Sequence, residues 1–347
     1  MTQELKPRPL TVVRYRRFFY FVLVMLAISG LFTHSIEAAD YKYPYRDPYL
    51  ATATSAILGN NEAASRDESK ILRLPGLPGR NKLPGLEGRG EVSLAFYRQN
   101  RPAPLLFILA GVGSSPYFGV GPYLADLFHR TGAHVVILPS PMNWNFALSA
   151  SRSGAPGYVP QDARDLYDVM QRALTTLRDR YGIKPTAVRF LGVSLGALEG
   201  AYLSVIDADE AKIGIANYLL INPPLDLGYA IKKIDEWSRL EKKFGKEKSR
   251  ELVSSALGIV DSLLDEKADD PAVIDRLAKK FSSFSDEELK YLLAVTLQNQ
   301  LYELIYVTQV MHDQNVLPAP RGDKRKRLEE AKTFTLGDYN SKIAAPL

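Results

Sequence analysis

The 347-residue sequence contains no cysteine. That absence excludes disulfide bonds, thiolate metal ligands, a cysteine nucleophile and the lipidated cysteine of a lipoprotein. Histidine is scarce as well. Because the sequence holds four histidines, any histidine base within it must be His34, His129, His134 or His312.

The chain also lacks a strong excess of charge of one sign, since 44 Lys and Arg face 39 Asp and Glu for a net charge of +5. The excess is concentrated at the N-terminus, where residues 1–38 hold five basic and two acidic residues. The remaining chain contributes a net charge of +2. A balance this even gives no electrostatic footprint for nucleic acid, so we expect no nucleic-acid partner.

A basic stretch at residues 1–17 precedes an almost wholly apolar run from Phe18 to Phe32, and small residues follow at Ala38 and Ala39. This is the three-part pattern of an export signal. The run of 15 residues is shorter than the roughly 20 that cross a bilayer. We predict a signal peptide over residues 1–39, with an uncleaved membrane anchor through residues 18–32 as the alternative. Either places the bulk of the chain in the periplasm or outside the cell.

Residues 40–90 are rich in Tyr, Pro and Gly, and we expect an extended, loop-like segment there. Short apolar runs then alternate with helical patterns through residues 91–227. The predicted strands are Glu91–Tyr97, Leu105–Leu109, His134–Leu138, Val188–Val193 and Tyr218–Ile221. The predicted helices are Pro122–Arg130, Gln161–Tyr181 and Ala201–Ile206. Strands joined by helical crossovers predict a mostly parallel α/β sheet with helices on both faces.

The apolar run Val188–Val193 leads into Gly192-Val193-Ser194-Leu195-Gly196, a Gly-x-Ser-x-Gly sequence. Glycine has no Cβ, so the incoming strand and the outgoing helix can approach closely on either side of the serine. This pattern resembles the nucleophile elbow of α/β-hydrolases. The resemblance implies that Ser194 is the nucleophile and that the N–H of Leu195 stabilises an oxyanion.

A second motif, Leu109-Ala110-Gly111-Val112-Gly113, follows the strand predicted at 105–109. It is similar to the glycine-rich loop after the third strand of α/β-hydrolases. By that match Val112 supplies a second oxyanion N–H, with Gly113 as a close alternative. The resemblance covers about residues 91–225 and implies no metal and no cofactor.

After Pro224 the composition changes, and residues 228–332 are charged, amphipathic and nearly free of strand patterns. We expect a helical cap over 228–332 and a C-terminal tail over 333–347. Ser285 and Glu288 form a capping box that predicts a helix from Asp286 to about Met311.

The sequence departs from the family beyond the cap. An α/β-hydrolase has an acid after a seventh strand and a histidine after an eighth, yet the only strand candidate here is the poor run Thr333–Leu336. We therefore expect a truncated form that lacks the last strands, which a longer reading frame at the locus would confirm. Within this sequence the candidate general base is His312, and the candidate acid is Asp226.

These features predict an exported serine hydrolase that cleaves an ester or thioester of a small molecule or a lipid. Two alternatives remain at this stage. One is a catalytically inactive binding or scaffold protein of the cell envelope, which the unidentified acid and base favour. The other is an acyltransferase that uses the same serine.

Overall fold

A computed structural model of the chain describes residues 47–52, 69–117, 119–262 and 271–347. The predicted signal or anchor at residues 1–39 lies outside these ranges. From Asp47 onward the chain forms one compact unit. Searched over the described ranges, the helices include none with the length and apolar character needed to span a bilayer.

The described residues form a single six-stranded sheet. Its strands are β1 (Ser69–Leu74), β2 (Val92–Tyr97), β3 (Leu105–Leu109), β4 (His134–Leu138), β5 (Val188–Val193) and β6 (Ile215–Ile221). They lie side by side in the order β1-β2-β4-β3-β5-β6. Strand β2 is antiparallel to both β1 and β4, whereas β4, β3, β5 and β6 are mutually parallel. The predicted mostly parallel α/β sheet is confirmed.

Helices cover the sheet and continue after its last strand. Their bounds are α1 (Val120–Arg130), α2 (Trp144–Ser149), α3 (Val159–Tyr181), α4 (Leu195–Glu210), α5 (Leu227–Ser238), α6 (Leu240–Phe244), α7 (Lys246–Asp261), α8 (Pro271–Phe281), α9 (Asp286–Gln298), α10 (Leu301–His312), α11 (Lys324–Ala331) and α12 (Leu336–Tyr339). The described residues also include a short helical stretch at 48–52, a 3₁₀ turn at Arg80–Lys82 and a π-helical turn at Asn340–Ala344.

The central strands β3 and β4 are buried along their whole length, which fits their continuous apolar sequences. Alternate residues point to opposite faces of the sheet. On one face Phe107 and Phe190 pack in the same cluster as residues of α3 and α4. On the other face Leu106 and Ile108 pack with residues of α1. Because both faces of the sheet are covered, the position of β5 is fixed. The position of Ser194, which follows β5, is therefore fixed as well.

Most predicted strand bounds are confirmed, and the differences have local reasons. Strand β6 begins at Ile215, three residues before the predicted start, and its side chains are mostly half-buried or exposed. Strand β1 was not predicted. Its apolar residues are Ile71, Leu72 and Leu74, and Lys70 and Arg73 interrupt them, so the apolar pattern is too short to stand out.

The capping box at Ser285 is confirmed, because its hydroxyl accepts from the N–H of Glu288 and the Glu288 carboxylate accepts from the N–H of Ser285. The single helix predicted to Met311 is wrong. The chain breaks at Asn299 and Gln300 into α9 and α10. Apolar spacing continues across that break, so periodicity gives no sign of it.

The strand candidate Thr333–Leu336 is not a strand. Thr335 caps α12 by accepting from the N–H of Asp338, and its hydroxyl donates to Asp235 at 2.8 Å. Within the described ranges no strand follows β6. The buried Tyr339 donates its hydroxyl to the carbonyl of Pro156 at 2.6 Å, which brings the tail against the loop before α3.

Candidate active site

Ser194 connects the end of β5 to the start of α4. Its backbone adopts φ 55° and ψ −122°, in a region that costs a non-glycine residue about 1–3 kcal/mol. The N–H of Ser194 donates to the carbonyl of Ile221 at 2.9 Å, which ties the turn to the end of β6. The side chain is exposed, so its hydroxyl can meet a substrate.

Two glycines make the turn possible. A Cβ on Gly192 would lie 2.7 Å from the Cα of Ala197, and one on Gly196 would lie 2.7 Å from the carbonyl oxygen of Ala110. Either distance is shorter than real Cβ contacts. The strand, the helix and the end of β3 are therefore packed backbone to backbone around Ser194, as the motif predicted.

The glycine-rich loop passes directly beside the serine. A Cβ on Gly111 would lie 3.2 Å from the Ser194 Cβ and 3.4 Å from its Oγ. Val112 and Leu195 line the same pocket as Ser194. No acceptor in the described ranges takes the main-chain N–H of Val112 or of Leu195. Both donors are thus free to bind an oxygen of a substrate.

Gly113, the alternative oxyanion donor of the loop, makes its contacts away from Ser194. Its carbonyl accepts from the Asn143 side-chain amide at 3.1 Å, and its Cα faces the side chain of Gln300. It does not line the pocket that contains Ser194. The geometry therefore favours Val112 over Gly113 as the loop donor, and the oxyanion role of each stays a prediction.

Ser194 opens onto an apolar pocket of about 120 Å³ that is lined by helices from before and after β6. The wall combines the glycine-rich loop, α3, α4, α5, α9 and α12. Its apolar and glycine members are Val112, Met142, Gly157, Val159, Leu195, Pro224, Leu227, Ala230, Ile231, Ile234, Leu297 and Leu336. The remaining members are Asp162, Ser194, Glu199, Tyr339 and Asn340. Its mostly apolar wall with a few polar groups has the composition of a small-molecule site, at a volume below the roughly 300–1,000 Å³ of most such sites.

Two buried carboxyl groups, Asp162 and Glu199, line the pocket, and we call them the acid pair. Asp162 is 2% exposed and Glu199 is 1% exposed. Burial raises the pKa of Asp162 to about 7, against the opposing effect of the Gly157 N–H that it accepts. Burial and the nearby Asp162 charge raise the pKa of Glu199 well above its usual range. At neutral pH the pair therefore retains protons.

Neither member of the acid pair is predicted from the sequence. Glu199 stands alone among small and apolar residues from Leu195 to Ile206, which was a usable signal of a buried acid. Asp162 gave no such signal, because a carboxylate in the first turn of a helix is ordinary. Only the packing of α3 against α4 brings the two groups to one pocket.

The predicted base and acid lie outside the pocket lining. His312 is the last residue of α10, and a Cβ added to Gly154 would lie 2.8 Å from its Nε2. Asp226 caps α5, where its carboxylate accepts from the Tyr229 N–H at 2.8 Å. No histidine of the described residues lines the pocket. The catalytic roles of His312 and Asp226 stay predictions.

Asp313, next to His312, is engaged elsewhere. Its carboxylate accepts from Arg321 Nε at 2.8 Å and pairs with the buried Arg327 at 3.4 Å. Burial lowers the pKa of His134, and its Nδ1 accepts from the Gln99 N–H at 3.0 Å. This contact at the start of β4 gives His134 a structural role.

The parallel sheet, the strained serine turn after β5 and the glycine loop after β3 define an α/β-hydrolase-type fold. No protein-family model and no curated sequence matches the chain. Matches among solved structures include several esterases, each less than 25% identical and with a TM-score below 0.5.

Three of these structures illustrate the range of the similarity. An esterase of Pyrobaculum calidifontis is 18% identical over 56% of each chain, with a TM-score of 0.33. Brefeldin A esterase, a bacterial homologue of human hormone-sensitive lipase, is 13% identical over 74% of each chain, with a TM-score of 0.36. A bacterial heroin esterase is 20% identical over 53% of this chain and 60% of its own, with a TM-score of 0.35. The match thus spans a little over half of the Pyrobaculum enzyme, and the assignment of the fold depends on the sheet order and the elbow.

Proposed function

We propose that the protein is a serine hydrolase that cleaves a small carboxylic ester or thioester through Ser194. The observation that carries the proposal is the elbow itself. An exposed hydroxyl sits on a strained turn at the end of a central parallel strand, beside the free N–H groups of Leu195 and Val112. A strained, non-glycine backbone of this kind is typical of a functional residue.

The reaction that fits this geometry is acyl transfer in two steps. The Ser194 Oγ attacks the ester carbonyl as its proton passes to a base, and the two N–H groups stabilise the tetrahedral oxyanion. The alcohol or thiol leaves with a proton, and water then releases the acid from the acylated serine. We keep His312 as the proposed base and Asp226 as the proposed acid.

The size of the pocket narrows the substrate. Its volume of about 120 Å³ is slightly below that of an engineered cavity of about 150 Å³ that binds benzene. A short acyl group or a small ring fits this volume. We therefore propose a compact ester in place of the long-chain lipid ester that the sequence left open.

A fluorophosphonate probe tests the nucleophile, because it reacts covalently with activated serines. We expect the wild type to be labelled and Ser194→Ala to remain unlabelled. Ser204→Ala, on the same helix, is the matched control and should keep full labelling. Hydrolysis of p-nitrophenyl acetate should follow the same order. Labelling that survives in Ser194→Ala would refute the assignment.

The same assay tests the base. If His312 takes the serine proton, His312→Ala should lose labelling nearly as completely as Ser194→Ala. Unchanged labelling of that variant would remove His312 from the mechanism.

A binding or scaffold protein of the cell envelope is the second candidate, and the absence of histidine from the described pocket lining favours it. A folded wild-type protein that the probe does not label would support this candidate. An acyltransferase would instead be labelled and would pass its acyl group to an added alcohol acceptor. For each candidate we propose export directed by residues 1–39.

A further inference from the structure

The acid pair has no role in the reaction proposed above, yet it lies in the same pocket as the nucleophile. Ser194 is exposed, whereas Asp162 and Glu199 are almost fully buried, so the pocket runs from a reactive hydroxyl to two enclosed carboxyl groups. Buried carboxyl groups are costly unless they are hydrogen-bonded or paired with a cation. A partner for the acid pair within the pocket would offset this cost of burial.

The contacts of the acid pair leave hydrogen-bonding capacity unused. Asp162 accepts the Gly157 N–H through Oδ2 at 2.7 Å. The buried Oε2 of Glu199 has no hydrogen-bond partner among the described residues. Tyr339, which also lines the pocket, already donates its hydroxyl to the carbonyl of Pro156. An occupant of the pocket can supply the missing partner of Glu199.

The charge of the surroundings indicates what kind of partner fits. The described residues that line the pocket include no Lys, Arg or His. Asp165, the next acid along α3, already accepts from the Arg152 N–H at 2.9 Å and pairs with the Arg152 guanidinium. A neutral hydroxyl would satisfy one oxygen of Glu199 but would not favour the ionised form of either acid. An ammonium cation would donate to that oxygen and offset the negative charge of the carboxylate that forms.

We propose that the acid pair binds a positively charged ammonium group of the substrate, so that the enzyme acts on small esters that carry an amine. Binding would convert a protonated carboxyl into a carboxylate paired with the ammonium and would release that proton to water. The inference rests on the proposed ester hydrolysis for the identity of the substrate. The ammonium site itself can be tested without turnover.

Calorimetric titration of the full chain with n-butylammonium chloride and with 1-butanol provides the test. These probes share an alkyl chain and differ in charge. At about pH 8 we expect the amine to bind at least about tenfold more tightly than the alcohol. We also expect proton release on amine binding, seen as a dependence of the heat on the buffer. Equal affinities, or no binding of the amine, would overturn the proposal.

Two isosteric variants locate the site, and a third controls for the loss of an acid elsewhere. Glu199→Gln and Asp162→Asn should each weaken amine binding by about tenfold and change alcohol binding by less than about threefold. Glu210→Gln, near the far end of the same helix as Glu199, should bind like the wild type. Full amine affinity in both pocket variants would refute the site.

The two proposals fail separately. Amine binding that depends on the acid pair, without fluorophosphonate labelling of Ser194, would leave the ammonium site in place and remove the hydrolase. Labelling of Ser194 without amine binding would support the hydrolase and refute the ammonium site. Thermal unfolding of each variant establishes that it is folded before it is titrated.

Discussion

The two ends of the pocket are built in different ways. At the Ser194 end, which we call the main-chain end, the backbone positions the serine through a strained turn, glycines in backbone contact and free N–H groups. At the other end, which we call the side-chain end, the carboxyl groups of Asp162 and Glu199 project from regular helices into an apolar enclosure.

Because of this difference, we expect the two ends to respond oppositely to substitution. Added bulk at the main-chain end forces backbones apart and must destabilise the fold. Neutralising a carboxyl at the side-chain end removes the cost of burying a charge and should stabilise it above neutral pH. Function at that end would then be retained at the expense of stability, as at many active sites.

The largest expected effect is at the main-chain end. In Gly196→Ala the new Cβ would overlap the carbonyl oxygen of Leu109 and lie 2.7 Å from that of Ala110. Neither atom can move without displacing β3 at the centre of the sheet. We expect a loss of about 4 kcal/mol or more in the free energy of unfolding, measured by urea denaturation, or failure to fold.

Gly258→Ala is the matched control. Gly258 lies within α7, and a Cβ there would meet nothing within 4 Å. Because alanine favours a helix more than glycine does, this variant should gain up to about 1 kcal/mol. Equal losses in the two variants would mean that the packing of the elbow does not set its stability.

The next prediction concerns the side-chain end. The pKa of Asp162 rises from 3.8 in the unfolded chain to about 7 in the fold. A raised acid pKa contributes stability that is fully present below about pH 4 and is lost as the pH rises through 7. At roughly 1.4 kcal/mol per pKa unit, Asp162→Asn should exceed the wild type by up to about 4 kcal/mol at pH 8. The two should converge near pH 4.

Asp179→Asn tests whether burial is the cause, since Asp179 is an exposed acid on the same helix, α3. Its unfolding free energy should run parallel to that of the wild type between about pH 4 and 8. If Asp162→Asn also ran parallel, the buried charge would carry no cost and the comparison between the two ends would fail.

The sequence predicted the main-chain end well because its determinants are local. Gly192, Ser194 and Gly196 fix the turn within five residues, and the run 105–109 places Gly111 beside it. The acid pair depends on contact between α3 and α4, from residues 37 positions apart, and no local pattern encodes it. The break between α9 and α10 was not predicted for a related reason. The burial of these two helices depends on their tertiary neighbours and is not encoded in the local pattern.

The smallest expected effect returns to Ser194. Its φ of 55° and ψ of −122° strain any residue with a Cβ but suit glycine. Ser194→Gly should therefore gain about 1 kcal/mol over Ser194→Ala in urea denaturation, because alanine keeps the strain and glycine relieves it. Both variants should be equally inactive towards the fluorophosphonate probe. A glycine variant no more stable than the alanine variant would show that the turn is unstrained, and the strained backbone would no longer support Ser194 as the nucleophile.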